Sequence, residues 1–508
     1  MRESKRRFPT GMTSLMAFRE GRAWMTNVAL CLLGVGLLLL ARQFVSENDH
    51  FTIGFSGCSG WSVWLYVAAV IVVMTQPVDR ATFWIVIGFA LAFRAMTVFA
   101  DPFLSSDIYR YVWDGVVQHK HINPYRYVPG DPALAFLRPP DSAMQNDIYQ
   151  NINRKEYAHT IYPPVAQMIY WLVTFFSPTV MAMKATMVGF ECVTVGALLA
   201  LLSGMGRART QVLLYAWCPL LVWEIAGSGH IDAAVFAFVT LALLFRYRGR
   251  PVLTGLFLGM AVMTKFYPLV LLPALWTRDA SATGLRRLGD WKMPVTLAAV
   301  CALAYVPYLS AGRLVLGFLS GYSKEEGIDT GARFFLFDWV RTLPGMKALP
   351  LAAYVVFCGV VLGGIALWAW QRAAVETVWR GAAEDKRRFP SHPSEQVRSP
   401  WTPGAGMTRE RVPLFVWAAM LMAFAMMLLF SPHYSWYIVW LIPFFALLPN
   451  LPLLTYLMMF FYMFTTALAD GTAPKMFVLN EILYGAVAVA VVVHLLLRRW
   501  PLRRVFRI

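Results

Sequence analysis

Ser105-Ser106-Asp107-Ile108-Tyr109-Arg110-Tyr111-Val112-Trp113-Asp114-Gly115 is the stretch on which the reading of this chain turns. It lies in the polar segment 101–160, the longest in the first 300 residues that membrane-type sequence does not dominate. Ser105 or Ser106 can cap a helix start, and an acid in the first turn suits the positive end of the helix dipole. Asp107, Arg110, Tyr111 and Asp114 then fall at i, i+3, i+4 and i+7 and share one face. The two carboxylates lie about 10 Å apart along the axis, too far to share a proton or form a tight metal pair. That spacing suits one acid acting on a substrate and a second holding something nearby. The plainer alternative is a capped amphipathic helix whose acids face water. The aromatic residues around the two acids, and a glycine at 115 that lets a backbone or ligand come close, favour the first reading.

Outside this stretch the chain reads as membrane. Of its 508 residues 58% are hydrophobic and 14% charged, with mean hydropathy +0.54. That composition excludes a soluble protein of this length. The net charge of +17 sits in short loops and tails between apolar runs, which is the positive-inside pattern and not a nucleic-acid stripe. Six scattered cysteines show neither metal spacing nor a disulfide framework.

The fold expected is an all-α polytopic membrane protein of about fourteen (12–14) transmembrane helices. The candidate spans are 24–42, 61–75, 81–99, 180–203, 211–226, 229–246, 251–264, 266–276, 293–310, 349–371, 413–430, 434–448, 451–468 and 478–497. The aromatic run 161–178 is bracketed by prolines and is kept out as an interfacial or re-entrant segment. With that choice the tails 1–23 and 498–508 and the basic loops, including 372–412, fall on the cytoplasmic side. Together with Arg80 they hold 29 of the 45 Lys and Arg residues, and counting 161–178 as a crossing would place the next three basic loops outside. Both termini are then cytoplasmic. A catalytic membrane module spans 24–371, with outer loops 101–160 and 311–348, and the helices of 413–497 follow the loop 372–412.

The outer side collects the candidate site residues. Ile122-Asn123-Pro124-Tyr125-Arg126-Tyr127 is a turn presenting Tyr125, Arg126 and Tyr127 as a ring–guanidinium–ring group, with Arg126 able to grip a phosphate; interfacial anchoring is the competing reading. Glu224, His230 and Asp232 flank a Gly-Ser-Gly turn at membrane depth, where ionisable groups are expensive, and His230 and Asp232 either pair or hold substrate. Lys265, between two apolar runs, suits a phosphate-bearing headgroup or snorkels to the interface. His433 stands at a helix start beside Tyr434, Trp436 and Tyr437. Glu325, Glu326 and Asp329 could bind a cation or an amine, and read more readily as solvated. His119 and His121, two apart, face different ways on a helix and make a poor metal pair.

Taken in order, Ser-Asp-Ile-Tyr-Arg-Tyr-Val-Trp-Asp-Gly, Ile-Asn-Pro-Tyr-Arg-Tyr, Thr-Ile-Tyr-Pro-Pro-Val-Ala-Gln and Gly-His-Ile-Asp resemble the GT-C superfamily of membrane glycosyltransferases. The chain is most similar there to bacterial polyprenol-phosphate-mannose-type transferases, and distantly to the mannosyltransferases of glycolipid-anchor assembly. The resemblance implies a helical membrane bundle whose first large outer loop carries the catalytic acid. It also implies a sugar donor on a polyprenyl phosphate, with mannose favoured, and an acceptor that is a glycan, lipid or protein. It implies a bacterial inner membrane with the active site on its outer face. By position Asp107 matches the catalytic acid. Asp114 is the second candidate, because the Asp-x-Asp pair of that superfamily is absent here. Arg110, Tyr111, Tyr125, Arg126, Tyr162, His230, Asp232, Lys265, Arg333, His433 and Tyr437 are the expected substrate-binding residues.

No cofactor is required by the sequence, and divalent-cation dependence is undecided, since members of the superfamily vary. Nucleic acid is not an expected partner; membrane lipids are. There is no Walker-type Gly-Lys-Ser/Thr run and no Rossmann fingerprint, which agrees with a lipid-borne donor. The competing readings are a transporter or flippase of lipid-linked sugars and a glycan polymerase or ligase. No matched halves of the transporter kind are visible.

Overall fold

Most of the apolar runs fold as continuous helices, while three that carry proline break into short turns. The computed structural model describes residues 10–46, 53–102, 104–138, 148–276, 289–373, 412–468 and 473–499. Most of the basic loop 372–412, most of 278–292 and most of the C-terminal tail lie outside the described residues. Among the described residues every regular element is helical. The longer helices are α1 (Thr10–Ser46), α2 (Ile53–Thr75), α3 (Arg80–Val98), α4 (Asp107–His119), α5 (Pro164–Phe176), α6 (Val180–Gly204) and α7 (Asp232–Tyr247). They continue with α8 (Pro251–Val262), α9 (Lys292–Tyr305), α10 (Leu351–Ala373), α11 (Leu414–Phe430), α12 (Leu451–Leu468) and α13 (Ala473–Arg499). The first helix thus starts at Thr10, well ahead of the expected span 24–42.

Seven helical stretches among the described residues are long and apolar enough to cross a membrane, and five apolar helices are shorter. The expected count of about fourteen is not confirmed by that measure: spans such as 229–246, 251–264 and 413–430 form continuous helices shorter than the rest, and three others are broken locally. Pro219, Pro268, Pro273 and Pro443 each remove a backbone donor and crowd the preceding turn. The expected span 211–226 becomes two one-turn helices followed by a π turn, Val222–Gly227. The expected spans 266–276 and 434–448 likewise break into 3₁₀ turns and short helices. The first and last of these three lie almost wholly within the protein core, where irregular backbone at membrane depth is tolerated. The segment 161–178 yields only the 13-residue α5, about 20 Å long against a hydrocarbon core of about 30 Å.

Local chemistry fixes the bundle. Asp79 caps α3 in a reciprocal capping box with Thr82, and Asn27 on α1 donates to the same carboxylate at 3.2 Å. Arg94 on α3 and Glu191 on α6 form a buried ion pair at 2.7 Å, with the guanidinium also donating to the Ala216 carbonyl. At one end of the bundle, buried Lys184 near the start of α6 donates to the Thr97 and Ala100 carbonyls at the end of α3. The Val165 N–H on α5 donates to the Met263 carbonyl beyond α8 at 2.8 Å. The Phe335 N–H donates to Ser431 Oγ, just past α11, at 3.2 Å. Helix ends and loops distant in sequence therefore meet at this end.

Candidate active site

The helix α4 carries both acids, and the structure treats them differently. Asp107 opens it. Ser106 occupies the N-cap position but makes no capping bond; Ser105 Oγ accepts from the Asp107 N–H at 3.2 Å instead. The Asp107 carboxylate is half-buried. Asn153 Nδ2 donates to its Oδ1 and the Tyr162 hydroxyl to its Oδ2, each at 3.1 Å. Burial first, and the Asp107 charge second, hold the Tyr162 phenol well above its usual range, so it stays protonated and remains a donor. The Tyr162 ring meets Tyr111 edge-on at 4.9 Å, and Tyr111 stacks on Tyr170 at 4.6 Å.

Asp114, two turns on, is 1% exposed. Its Oδ1 accepts from Arg110 Nε at 2.7 Å and its Oδ2 from Gln167 Nε2 at 2.9 Å. Arg110 continues to the Ala158 carbonyl, and Gln167 to Thr160 Oγ1, each at 2.9 Å. Asp114 and Arg110 thus tie the returning loop 148–160 to α4, and that loop delivers Asn153 and Tyr162 to Asp107. Gly115 makes the approach of α5 possible: a Cβ there would lie 2.4 Å from Thr174 Oγ1 and 2.6 Å from the Tyr170 carbonyl. It is a backbone that comes close here, the first of the two options the sequence offered.

A second group faces Asp107 from other elements. Lys265, just past α8, pairs with Asp232 at the start of α7 at 2.6 Å, and the Tyr267 hydroxyl donates to the same carboxylate at 3.1 Å. The ammonium lies 5.4 Å over the Tyr437 ring, and the Arg333 guanidinium 6.0 Å from that ring. The Tyr437 hydroxyl is hydrogen-bonded to Tyr322. Arg333 pairs with Glu326 and reaches His433 Nδ1 at 3.4 Å. Burial, then the Arg333 charge, pull the His433 pKa from 6.5 to about 4, so His433 is neutral near pH 7. The Asp107 charge is felt at Tyr111, Tyr322 and Tyr437, and that of Asp232 at Tyr111. The two groups therefore face one another across one region.

Several sequence expectations are revised by this geometry. His230 does not pair with Asp232: its Nε2 lies 3.3 Å from buried Glu224 Oε2, its ring stacks on Trp436 at 4.5 Å, and Trp436 stacks on Tyr434. The π turn carries Glu224 inward to meet both His230 and Ser435 Oγ. The ring–guanidinium–ring group at 125–127 is split. Arg126 lies exposed, 5.8 Å from the Tyr127 ring, while Tyr125 turns inward, donates to the Tyr162 carbonyl at 2.6 Å and packs on Tyr308. Asn123 does form the turn, its Oδ1 accepting from the Tyr125 N–H at 3.2 Å. Glu325 and Glu326 are not simply solvated: Glu325 accepts from Arg154 at 2.7 Å, and the Glu326 side chain is 6% exposed against Arg333.

Asn153, Gln167, Tyr267, Tyr322 and Ser435 are site residues that the sequence does not single out. Glu326 was visible as an acid in an outer loop. Asn153 sits in an aperiodic polar run where nothing local marks its partner. Among the described residues no three His, Cys, Asp or Glu side chains gather as a metal site.

An acid, two paired cations and a bed of aromatics at one end of an apolar helical bundle define a membrane protein with a site suited to group transfer. Residues 8–279, more than half of the chain, match the family model described as alpha-(1->6)-mannopyranosyltransferase, N-terminal domain. The chain belongs to that family and is a mannosyltransferase-like membrane glycosyltransferase. Searches of curated proteins and of solved structures give no match.

Proposed function

We propose that the protein moves a mannosyl group from a polyprenyl-phosphate donor to an acceptor hydroxyl, with inversion, on the outer face of a bacterial inner membrane. The observation that carries this reading is half-buried Asp107, facing the Lys265–Tyr437–Arg333 group. Asp107 takes the proton of the acceptor hydroxyl as that oxygen bonds to the anomeric carbon. The bond from that carbon to the phosphate oxygen breaks through an oxocarbenium-like transition state. Its electron pair leaves with the lipid phosphate, where Lys265 and Arg333 meet the developing charge. Their acids, Asp232 and Glu326, hold the two cations in place. Neutral His433 supplies a hydrogen-bonding nitrogen beside Arg333. Inversion to an alpha product calls for a beta-linked donor. Asp114 works at a distance, by holding the loop that orients Asp107.

A transfer assay tests this. Membranes containing the protein, or its Asp107→Asn variant, receive a panel of labelled polyprenyl-phosphate sugars, and both product and remaining donor are followed. The expected result is that the beta-linked mannosyl donor is consumed by the wild type and not by the variant. Movement of labelled lipid between leaflets without consumption would hand the site to the transporter reading. Labelling of single cysteines placed in 101–160 and 372–412 tests the sidedness; finding both on one side would sink it.

A further inference from the structure

The residues that hold the proposed base and those that hold the second cation are neighbours in sequence on both sides of the site. Asn153 donates to Asp107 Oδ1 at 3.1 Å and to Ser106 Oγ at 3.0 Å. The next residue, Arg154, donates through Nε to Glu325 Oε2 at 2.7 Å, and the Tyr157 hydroxyl donates to Glu325 Oε1 at 3.0 Å. The residue after Glu325 is Glu326, the partner of Arg333. A continuous line therefore runs from Asp107 through Asn153, Arg154, Glu325 and Glu326 to Arg333.

The backbone is shaped for this line. Arg154 has φ +53°, a left-handed conformation that costs a non-glycine residue energy and persists only where its surroundings demand it. Gly317 has φ +55°, and a Cβ there would fall on the Thr160 carbonyl. The loop 148–160 is thus pressed against the segment leading to Glu325, and Tyr157 meets Phe318 edge-on at 5.7 Å. The Arg154 and Glu325 side chains are 35% and 30% exposed, and pairs so open to water contribute little to folding stability. Strain spent on a pair of small stabilising value points to a geometric purpose.

We propose that Asn153, Arg154 and Glu325 are positioning residues that set the base at Asp107 against the leaving-group cation at Arg333. The inference rests on the reading of Asp107 as the base. The test measures kcat, KM and the melting temperature of purified full-length Asn153→Ala, Arg154→Ala and Glu325→Gln, and of the exchanged pair R154E/E325R, beside Asp107→Asn. The expected result is a kcat about tenfold lower in each single variant, a barrier change of about 1.4 kcal/mol. KM and melting temperature should stay close to wild type. The exchanged pair should recover most of the loss, which ties the effect to the contact between the two side chains, while the unchanged melting temperature separates it from a structural role.

Wild-type kcat in the single variants, with Asp107→Asn inactive, would overturn the proposal and leave the base reading standing. An active Asp107→Asn enzyme would instead remove the base reading. If the Arg154 variants do not fold, Asn153→Ala decides alone, and a wild-type kcat there overturns the proposal.

Discussion

The first and third turns of α4 present the same side chain in two different circumstances. Asp107 is half-buried and meets two neutral donors, Asn153 and Tyr162. Asp114 is fully buried, and both its oxygens are engaged, one by the cation Arg110. A carboxylate held by neutral donors keeps its charge for a substrate, whereas one locked in a buried ion pair is committed to the fold. Helical spacing put the two acids on one face but could not distinguish them. What distinguishes them is what returns to α4 from further along the chain, Asn153 and Tyr162 at Asp107 and Gln167 at Asp114.

The largest expected effect lies at the first turn. Asp107→Asn should lower kcat by about 10²–10⁴-fold, the range of a lost general base, with the melting temperature nearly unchanged; a variant that turns over normally would erase the contrast. At the later turn the loss should fall on stability instead. Asp114→Ala leaves the Arg110 guanidinium buried and unpaired and should cost about 3–5 kcal/mol, read as an early thermal transition in detergent. A stable but inactive Asp114→Ala would move the chemistry to the wrong acid.

Between the two, Gly115→Ala probes the seating of the helix. Its Cβ would meet a carbonyl that cannot turn aside, so α4 must tilt off α5, at about 1–3 kcal/mol. Activity and stability should fall together, and an alanine accepted without loss would show that the α4–α5 contact is not tight.

The smallest effect concerns the facing cation group. His433 takes up a proton at about pH 4 in the folded protein and at about 6.5 when unfolded. The unfolded chain binds the extra proton between those values, so the contribution of His433 to stability is full above pH 6.5 and is lost as pH falls towards 4. Melting curves across that window should decline less for His433→Gln than for wild type; identical slopes would refute the assignment.

Much of the bundle was legible because spans such as 81–99, 180–203 and 349–371 are uninterrupted apolar runs, and hydrophobicity over a window is a local property. The broken segments around Pro219, Pro273 and Pro443 look equally apolar over a window, and a hydrophobicity average does not register the prolines that break them. At the site, Lys265 stood out because an ionisable residue between apolar runs is costly, and Asp107 because it shares a helix face with Arg110, Tyr111 and Asp114. Their partners did not. Asp232 belongs to Lys265 and not to His230, and Glu326 belongs to Arg333 and not to water. Periodicity reports neighbours within an element, and these pairs form between elements.

As the proposed base, Asp107 removes a proton and does nothing else that the reaction needs. Azide, already deprotonated, requires no base, so it tests the claim directly when added to Asp107→Ala with a beta-linked mannosyl polyprenyl phosphate. The expected result is that azide restores donor cleavage and that the product is the alpha-mannosyl azide. A beta-configured product, or donor cleavage by the variant at the wild-type rate without azide, would contradict it.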